Sequence, residues 1–276
     1  MKFWPAVLAL ALIVQGCVSK SPLHQAVAKG DKAKVATLLE QGAKIDSRDS
    51  RGCTPLFIAA ENGDADSVKE LLAHGANPNK GALLKHGNTP LHVAAQRGFD
   101  KVIELLLTKY TNADLRNSAG QTPLMLAAWA RHPQTVTLLI KNGANPSAYD
   151  RYGWAALHTP WNAKPADSDY TAVMEILVAN KARINAKTGV PFGYTPIMGA
   201  AMAGDKETVE LLLDAGAKVN DADEHGQTAL SYAEHKHYED VVAVLSEHGA
   251  MQFNPVAPEQ LQEPIEPMAE EADLSQ

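Results

Sequence analysis

The amino-acid sequence predicts an all-α fold in which about seven helical repeats stack into a solenoid. The first observation is a motif, Gly-x-Thr-Pro-Leu, at residues 52–56, 87–91 and 120–124. The second is its spacing. With variants of the motif included, repeats start at 21, 54, 89, 122, 155, 195 and 228, and four of the six intervals are 33 residues. A constant period of this length is typical of repeat proteins, whose units bury their apolar faces against their neighbours.

Each repeat is predicted to contain two short helices and a turn. Thr54 followed by Pro55 favours a helix start, because Thr accepts from free backbone N–H groups and Pro loses no hydrogen bond there. A second helix carries apolar residues at i, i+3 and i+4, and Leu71 and Leu105 are expected in its buried stripe. The Asp- and Gly-bearing stretch 49–52 is expected to turn the chain back as a β-hairpin finger.

The second helices are predicted to end in left-handed backbone, which favours glycine. The glycines at these positions are Gly42, Gly75, Gly143, Gly216 and Gly249. Repeats three and five have no glycine there, and Asn112 and Asn180 are expected to take the same conformation.

The 33-residue period and the Thr-Pro-Leu-His sequence at 89–92 resemble the ankyrin repeat over residues 21–253. This resemblance implies that fingers and first helices line a concave groove, and that variable positions in the groove bind partner proteins. It also implies that the motif histidines His24, His92 and His158 join the backbone of neighbouring loops.

Residues 1–16 are predicted to form a signal peptide. Lys2 gives the segment a positive start, and residues 3–14 are an apolar run that is short for crossing a bilayer but suits secretion. The alternatives are an ordinary secretory signal without lipidation and a plain membrane anchor.

Residues 14–17, Val-Gln-Gly-Cys, resemble the lipobox of bacterial lipoproteins. The resemblance implies cleavage before Cys17, palmitate-type acyl chains on that residue, and a tether of residues 18–20. Val18 stands where Asp would signal retention in the inner membrane, so we expect the outer membrane, facing the periplasm. Two or three acyl chains are sufficient for stable anchoring.

The net charge of −7 lies mostly in residues 254–276, which contain six acidic residues, four prolines and no Lys or Arg. Such a segment is predicted to be a disordered tail. The rest of the mature chain is nearly neutral and shows no basic stripe, which argues against a nucleic-acid partner.

No set of residues in the sequence indicates an enzyme, a cofactor, a metal site or a small-molecule substrate. Phosphate-loop, dinucleotide and zinc motifs are missing. His225, His235 and His237 lie close in sequence, but alternate positions on a helix face different ways, so we expect solvated side chains. Cys53 has no intramolecular partner once Cys17 carries lipid. It is expected to be a small apolar filler, with an intermolecular disulfide or redox role as the alternative.

The predicted partner-binding groove is rich in aromatic residues, which are enriched in binding hot spots together with Arg and Met. Extra residues in the fifth repeat and in the finger after it also fall there, and insertions in repeat proteins often map to the binding face. The predicted set is Trp129, Tyr149, Arg151, Tyr152, Trp154, Trp161, Phe192, Tyr194 and Met202. The alternative is that these rings fill gaps made by the insertions.

The sequence therefore predicts a non-enzymatic, membrane-tethered scaffold that binds a partner protein in the bacterial periplasm, where it holds or localises an envelope enzyme. The alternative is an immunity-type inhibitor that neutralises a toxin or effector delivered to the periplasm.

Overall fold

The computed structural model describes residues 21–107, 111–158 and 168–252. The predicted signal peptide, Cys17 with its predicted lipidation, the acidic tail and Trp161 lie outside these residues. Within them no helix is long and apolar enough to cross a membrane.

The chain divides into two compact units. The described residues of the first unit are 21–107, 111–151, 155–157 and 168–183, and those of the second are 152–154, 158 and 184–252. The helices of the first unit are α1 (Pro22–Ala28), α2 (Lys32–Glu40), α3 (Pro55–Glu61), α4 (Ala65–Ala73), α5 (Pro90–Arg97), α6 (Asp100–Leu106), α7 (Pro123–Trp129), α8 (Pro133–Lys141) and α9 (Ser168–Ala179). The helices of the second unit are α10 (Pro196–Ala203), α11 (Lys206–Asp214), α12 (Ala229–His235) and α13 (Glu239–Glu247).

In the first unit the helices form two rows, as the sequence predicts. The first helices of successive repeats, α1, α3, α5 and α7, pack against one another in order, and α2, α4, α6 and α8 form a second row. In the second unit α10 packs on α12, and α11 on α13. The paired alanines Ala59 and Ala60 are fully buried, so the helices of the first row can approach closely.

The helix starts and the buried stripes follow the predicted pattern with one shift. The Thr54 hydroxyl accepts a hydrogen bond of 3.2 Å from the backbone N–H of Phe57. Val68 and Leu71 are fully buried, as expected. In α6, however, Leu106 is the fully buried residue and Leu105 is half-buried, so the prediction for Leu105 was one residue early.

All five glycines predicted to end second helices have a positive φ, for example +86° at Gly75. In repeat five the left-handed residue is Lys181, with a φ of 62°, and the expectation for Asn180 was therefore wrong. Asn180 directly follows α9, and its side-chain amide donates to the carbonyl oxygen of Ile176.

We call the turns that precede the first helices fingers: residues 46–53 are the first finger, 79–88 the second and 114–121 the third. The first finger is closed by a hydrogen bond of 2.9 Å from the Asp49 N–H to the Cys53 carbonyl. Within the described ranges no residues form a β-strand, and the β-structure consists of one antiparallel bridge between Tyr149 and Ala155. The predicted hairpins are therefore tight turns.

A basic residue clamps each of several fingers to the next one. The Arg48 guanidinium donates to the carbonyl oxygens of Gly52 and Gly81, each at 2.6 Å. In the second unit the Lys187 ammonium group reaches the Ala222 carbonyl at 2.7 Å. These contacts fix the spacing between neighbouring fingers.

Candidate partner-binding surface

The motif histidines join neighbouring repeats, which confirms the role that the sequence predicts. Nε2 of His24, His92 and His158 lies 3.1, 3.0 and 3.0 Å from the carbonyl oxygens of Cys53, Gln121 and Ala186, respectively. Burial lowers the pKa of His92 and of His158 to about 4. Neutral, buried imidazoles of this kind hold the backbone of the fingers in place.

Cys53 is fully buried at the end of the first finger. Burial raises the pKa of its thiol to about 11, and the nearby Asp49 carboxylate contributes to this increase. The thiolate is the reactive form of cysteine, so this environment suppresses its chemistry. The position agrees with the packing role expected from the sequence.

In the first unit, Tyr149 and Arg151 present their side chains to solvent. The ring of Tyr149 is 54% exposed, and the guanidinium carbon of Arg116 lies 5.6 Å from its centroid. Arg116 also donates to the backbone carbonyl of Tyr149. Trp129, the last residue of α7, is half-buried, and its indole nitrogen has no hydrogen-bond partner within the described residues.

In the second unit, Tyr152 is 66% exposed and Trp154 is half-buried. The indole of Trp154 packs edge-on against His158, with 5.8 Å between the ring centroids. The backbone beside them is crowded. The Gly189 N–H donates to the Tyr152 carbonyl, and a Cβ on Gly153, where φ is +78°, would lie 2.5 Å from the Gly189 nitrogen. This contact holds Tyr152 at the surface.

Two predicted groove residues of the second unit lie in its interior. Tyr194 is only 3% exposed and Met202 only 7% exposed, so both are packing residues in this structure. The ring of Tyr194 stacks on half-buried Phe192 at 5.6 Å, and it meets Tyr232 edge-on at 6.0 Å. Burial raises the pKa of the Tyr194 hydroxyl. For these positions the alternative drawn from the sequence, gap filling by rings, is the better description.

The exposed surface also includes residues that the sequence analysis did not select. Leu83 and Leu84 in the second finger are 67% and 72% exposed. The signal for them is the 35-residue interval between the second and third repeats, which adds two residues to this finger. Arg116 was likewise missed, because its contact with Tyr149 joins residues 33 positions apart.

No group of three His, Cys, Asp or Glu side chains that could hold a metal ion occurs in the described ranges. His225, His235 and His237 are all exposed. Among the predicted site residues, Tyr149, Arg151 and Tyr152 lie exposed in turn segments, where they can contact another molecule.

Two rows of short helices, linked by fingers that carry the exposed aromatic residues, define a helical repeat protein with a surface suited to binding. The family model for ankyrin repeats (three copies) matches residues 23–117, 80–150, 109–188 and 161–255. The chain belongs to the ankyrin-repeat family, whose repeats are typical protein–protein interaction modules.

Similar proteins include Rabankyrin-5 from Mus musculus, which is 31% identical over 229 residues, or 78% of this chain. The human transient receptor potential cation channel subfamily A member 1 is 29% identical over 72% of the chain. The chain spans only 19% and 18% of the lengths of these two relatives.

Three solved structures are similar across most of their own length. The ankyrin repeat domain of Bcl-3 superposes with a TM-score of 0.67 at 25% identity, and covers 82% of this chain and 99% of its own. An ankyrin repeat domain from Acinetobacter baumannii AYE has a TM-score of 0.66 at 30% identity, with 72% and 100% covered. The domain of human ASB11 has a TM-score of 0.71 at 25% identity, with 84% and 100% covered.

Proposed function

We propose that this protein is a non-enzymatic ankyrin scaffold that is tethered to the bacterial envelope and binds a partner protein in the periplasm. The observation that carries the binding proposal is the exposure of Tyr149, which is held at the surface beside basic residues. Exposed aromatic rings next to Arg are the residue types enriched at binding hot spots.

Tyr149 is suited to binding because its position is fixed before a partner arrives. Its backbone nitrogen and carbonyl lie in the turn that forms the bridge to Ala155, and Arg116 holds its carbonyl oxygen. A ring that is already ordered loses little conformational entropy when a partner covers it. Arg151, which is exposed and is bound through its own N–H to Ala119 at 3.0 Å, adds a charge for an acidic group of the partner.

The second unit offers its own exposed ring at Tyr152, with Phe192 half-buried in a turn of the same unit. We assign these residues to partner binding as a separate element, and we exclude Tyr194 and Met202 because a partner could not reach them without unfolding the unit.

The tether rests on the N-terminal sequence. The apolar run at 3–14 and the Gly16-Cys17 pair support lipidation of Cys17, and only residues 18–20 separate that cysteine from the first repeat. Two acyl chains give stable anchoring, since each buried CH₂ contributes about 0.8 kcal/mol. The scaffold would then act close to the membrane, on the partner that it holds there.

Site-specific photocrosslinking tests the binding proposal. Tyr149 and, as a control, exposed Lys69 of α4 are replaced in turn by the photoreactive residue benzoylphenylalanine in the native host. We expect a discrete crosslinked protein from position 149 that is missing from position 69. Equal products from both positions would contradict the assigned surface. An endogenous envelope enzyme as the product supports the scaffold, whereas a delivered toxin would assign the protein as an inhibitor.

Metabolic labelling tests the tether separately. Labelled palmitate should enter the wild-type protein and should be lost in Cys17→Ser. Incorporation that persists in this variant would contradict lipidation at Cys17 and would leave the crosslinking result unaffected.

A further inference from the structure

The second finger presents two adjacent leucines to solvent. Leu83 and Leu84 are 67% and 72% exposed, and Leu83 lies against the backbone of the first finger, where a Cβ on Gly52 would be 2.6 Å from the Leu83 Cβ. An isolated exposed leucine is common on protein surfaces, but two adjacent ones on a turn form a contiguous apolar patch, the kind of feature found at contact sites.

The backbone holds these leucines in place from both sides. The N–H groups of Leu83 and Leu84 donate to the carbonyls of Gly52 and Arg51, each at 3.4 Å. On the other side the His86 carbonyl accepts from the backbone N–H and the hydroxyl of Ser118, at 2.8 and 2.7 Å. The leucines therefore cannot fold back into the core without breaking the contacts between fingers.

The surface around the leucines is positively charged. Arg51 and Lys85 have side chains that are 42% and 39% exposed, whereas their acidic partners Asp49 and Glu61 are only 0% and 14% exposed. The cations therefore face solvent and the carboxylates lie beneath them. Exposed Arg48 lies in the adjacent finger. The sequence from residue 71 to residue 99 contains no Asp or Glu at all.

Ser21, the first described residue, lies at the same end of the first-row helices as the fingers. Ser21 caps α1 in the way that Thr54 caps α3, and Thr54 directly follows the first finger. Thr89, which follows the second finger, lies two helices along the first row from Ser21, about 20 Å at ordinary helix spacings. Only residues 18–20 separate Cys17 from Ser21, so these two residues can lie at most about 14 Å apart. Acyl chains on Cys17 would thus keep Thr89, at the end of the second finger, within about 34 Å of the membrane surface.

We propose that the second finger binds the surface of an anionic lipid membrane, with Leu83 and Leu84 inserted among the headgroups and with Arg51 and Lys85 against lipid phosphates. This inference rests on the tether in the proposed function and adds a lipid-binding site to it. Apolar insertion and attraction of nearby cations to anionic lipids act together in peripheral membrane binding.

A lipid surface fits these observations better than an acidic segment of a protein. The leucines are adjacent and protrude on a turn, whereas a groove for a peptide would place apolar positions along several fingers. Lys85 directly follows the leucines and the Arg51 carbonyl binds the Leu84 N–H, so both cations lie close enough to meet phosphates around inserted leucines.

Vesicle binding tests the proposal without depending on acylation in the cell. The mature chain from residue 17 with Cys17→Ser carries an NBD fluorophore on Leu84→Cys, and Cys53 does not react because it is buried. A matched variant carries NBD on Thr37→Cys, an exposed position of α2. The probes are vesicles of phosphatidylethanolamine and phosphatidylglycerol at 3:1, and vesicles of phosphatidylcholine, each with and without spin-labelled lipid.

We expect the emission at position 84 to shift to the blue and to be quenched by spin-labelled lipid on the anionic vesicles, with neither effect at position 37. Co-sedimentation of the unlabelled protein, which keeps Leu84, with the anionic vesicles measures how strongly the protein partitions onto them. Leu83→Ser with Leu84→Ser should weaken this partition at least tenfold. Arg51→Gln with Lys85→Gln should weaken it by roughly 25-fold at low salt, since each cation near an anionic surface accounts for about a fivefold change.

Equal signals at positions 84 and 37, or partition that is unchanged in both double variants, would overturn the proposal and would assign the leucines to a protein contact. Thermal unfolding of each variant controls for loss of fold. Failure of palmitate labelling at Cys17 would overturn the tether without altering this result, so the two proposals fail separately.

Discussion

Nε2 of His92 lies 3.0 Å from the carbonyl oxygen of Gln121, which is 29 residues further along the chain. The imidazole Nδ1 of the same residue accepts from the Thr89 N–H at 3.2 Å. One neutral side chain therefore caps its own helix and binds the next finger. Since Nδ1 accepts, Nε2 carries the proton and donates to Gln121.

The depressed pKa of His92 predicts loss of stability in weak acid. Its pKa is about 4 in the folded protein, against 6.5 for the ordinary group, so the unfolded chain takes up a proton first as the pH falls. The neutral ring contributes its full share to the free energy of unfolding above pH 6.5. This contribution declines as the pH falls towards 4. Between pH 7 and pH 5 the free energy of unfolding should fall by about 2 kcal/mol per such histidine.

The measurement is urea unfolding at pH 7 and pH 5 for the wild type and His92→Gln. The variant should be less stable at pH 7, by roughly 1–3 kcal/mol, because it leaves buried groups unsatisfied. Its stability should depend less on pH than that of the wild type. An unchanged pH dependence would show that His92 does not titrate in this range.

The core of the first unit gives a second prediction. Leu71→Ala and Leu106→Ala remove fully buried side chains, so each should lower the free energy of unfolding by roughly 2–5 kcal/mol. Leu105→Ala, at a half-buried neighbour, should cost less than Leu106→Ala. Equal losses at 105 and 106 in thermal or urea unfolding would contradict the observed register of α6.

The repeats, the helix starts and the glycine ends could be predicted because they depend on local chemistry that recurs every 33 residues. The exact register of α6 could not be predicted. Leu105 and Leu106 are both leucines in an apolar run, and the choice between them depends on how α6 packs on α4 and α8. Similarly, Asn180 has the higher intrinsic preference for left-handed backbone, but α9 extends far enough to place Lys181 in that position.

The binding surface was less predictable, because exposure depends on contacts between distant parts of the sequence. Tyr149 and Tyr152 occupy variable positions of the repeat, and both are exposed as this predicts. Tyr194 also occupies a variable position, but it is buried and contacts Phe192 and Tyr232. The pattern reveals which positions are free to vary, but not whether a neighbouring turn covers them.

The clamp between fingers gives a third prediction. Arg48→Ala removes donors to the carbonyls of Gly52 and Gly81, and should lower stability by about 1 kcal/mol. Arg48→Lys should recover part of this loss, because Lys187 performs the same role in the second unit with a single ammonium group. Urea unfolding measures both changes. A lysine variant as unstable as the alanine variant would show that both hydrogen bonds of the guanidinium are required.

Cys53 should be almost unreactive in the folded protein. Its thiol is buried, and a pKa of about 11 leaves very little thiolate at pH 8. Alkylation by iodoacetamide at pH 8 should therefore be at least ~100-fold slower in the native protein than in urea, since the thiolate is the attacking form. Fast modification of the native protein would revive the alternative of a redox role.

The last prediction separates folding from partner binding in the aromatic residues. Tyr149→Ala and Tyr152→Ala remove exposed rings, so each should change the free energy of unfolding by less than about 1 kcal/mol. Tyr194→Ala removes a buried ring of the same type and should cost roughly 3 kcal/mol or more, which makes it the matched control. If the exposed rings are binding hot spots, their loss should raise the Kd for the partner identified by crosslinking by about 30-fold. Arg151→Ala should weaken binding of the same partner more at low salt than at high salt, because salt screens ionic contacts. Thermal unfolding and titration of the partner measure the two quantities on the same samples. Unchanged affinity in both exposed variants, with folding intact, would move the partner site away from these rings.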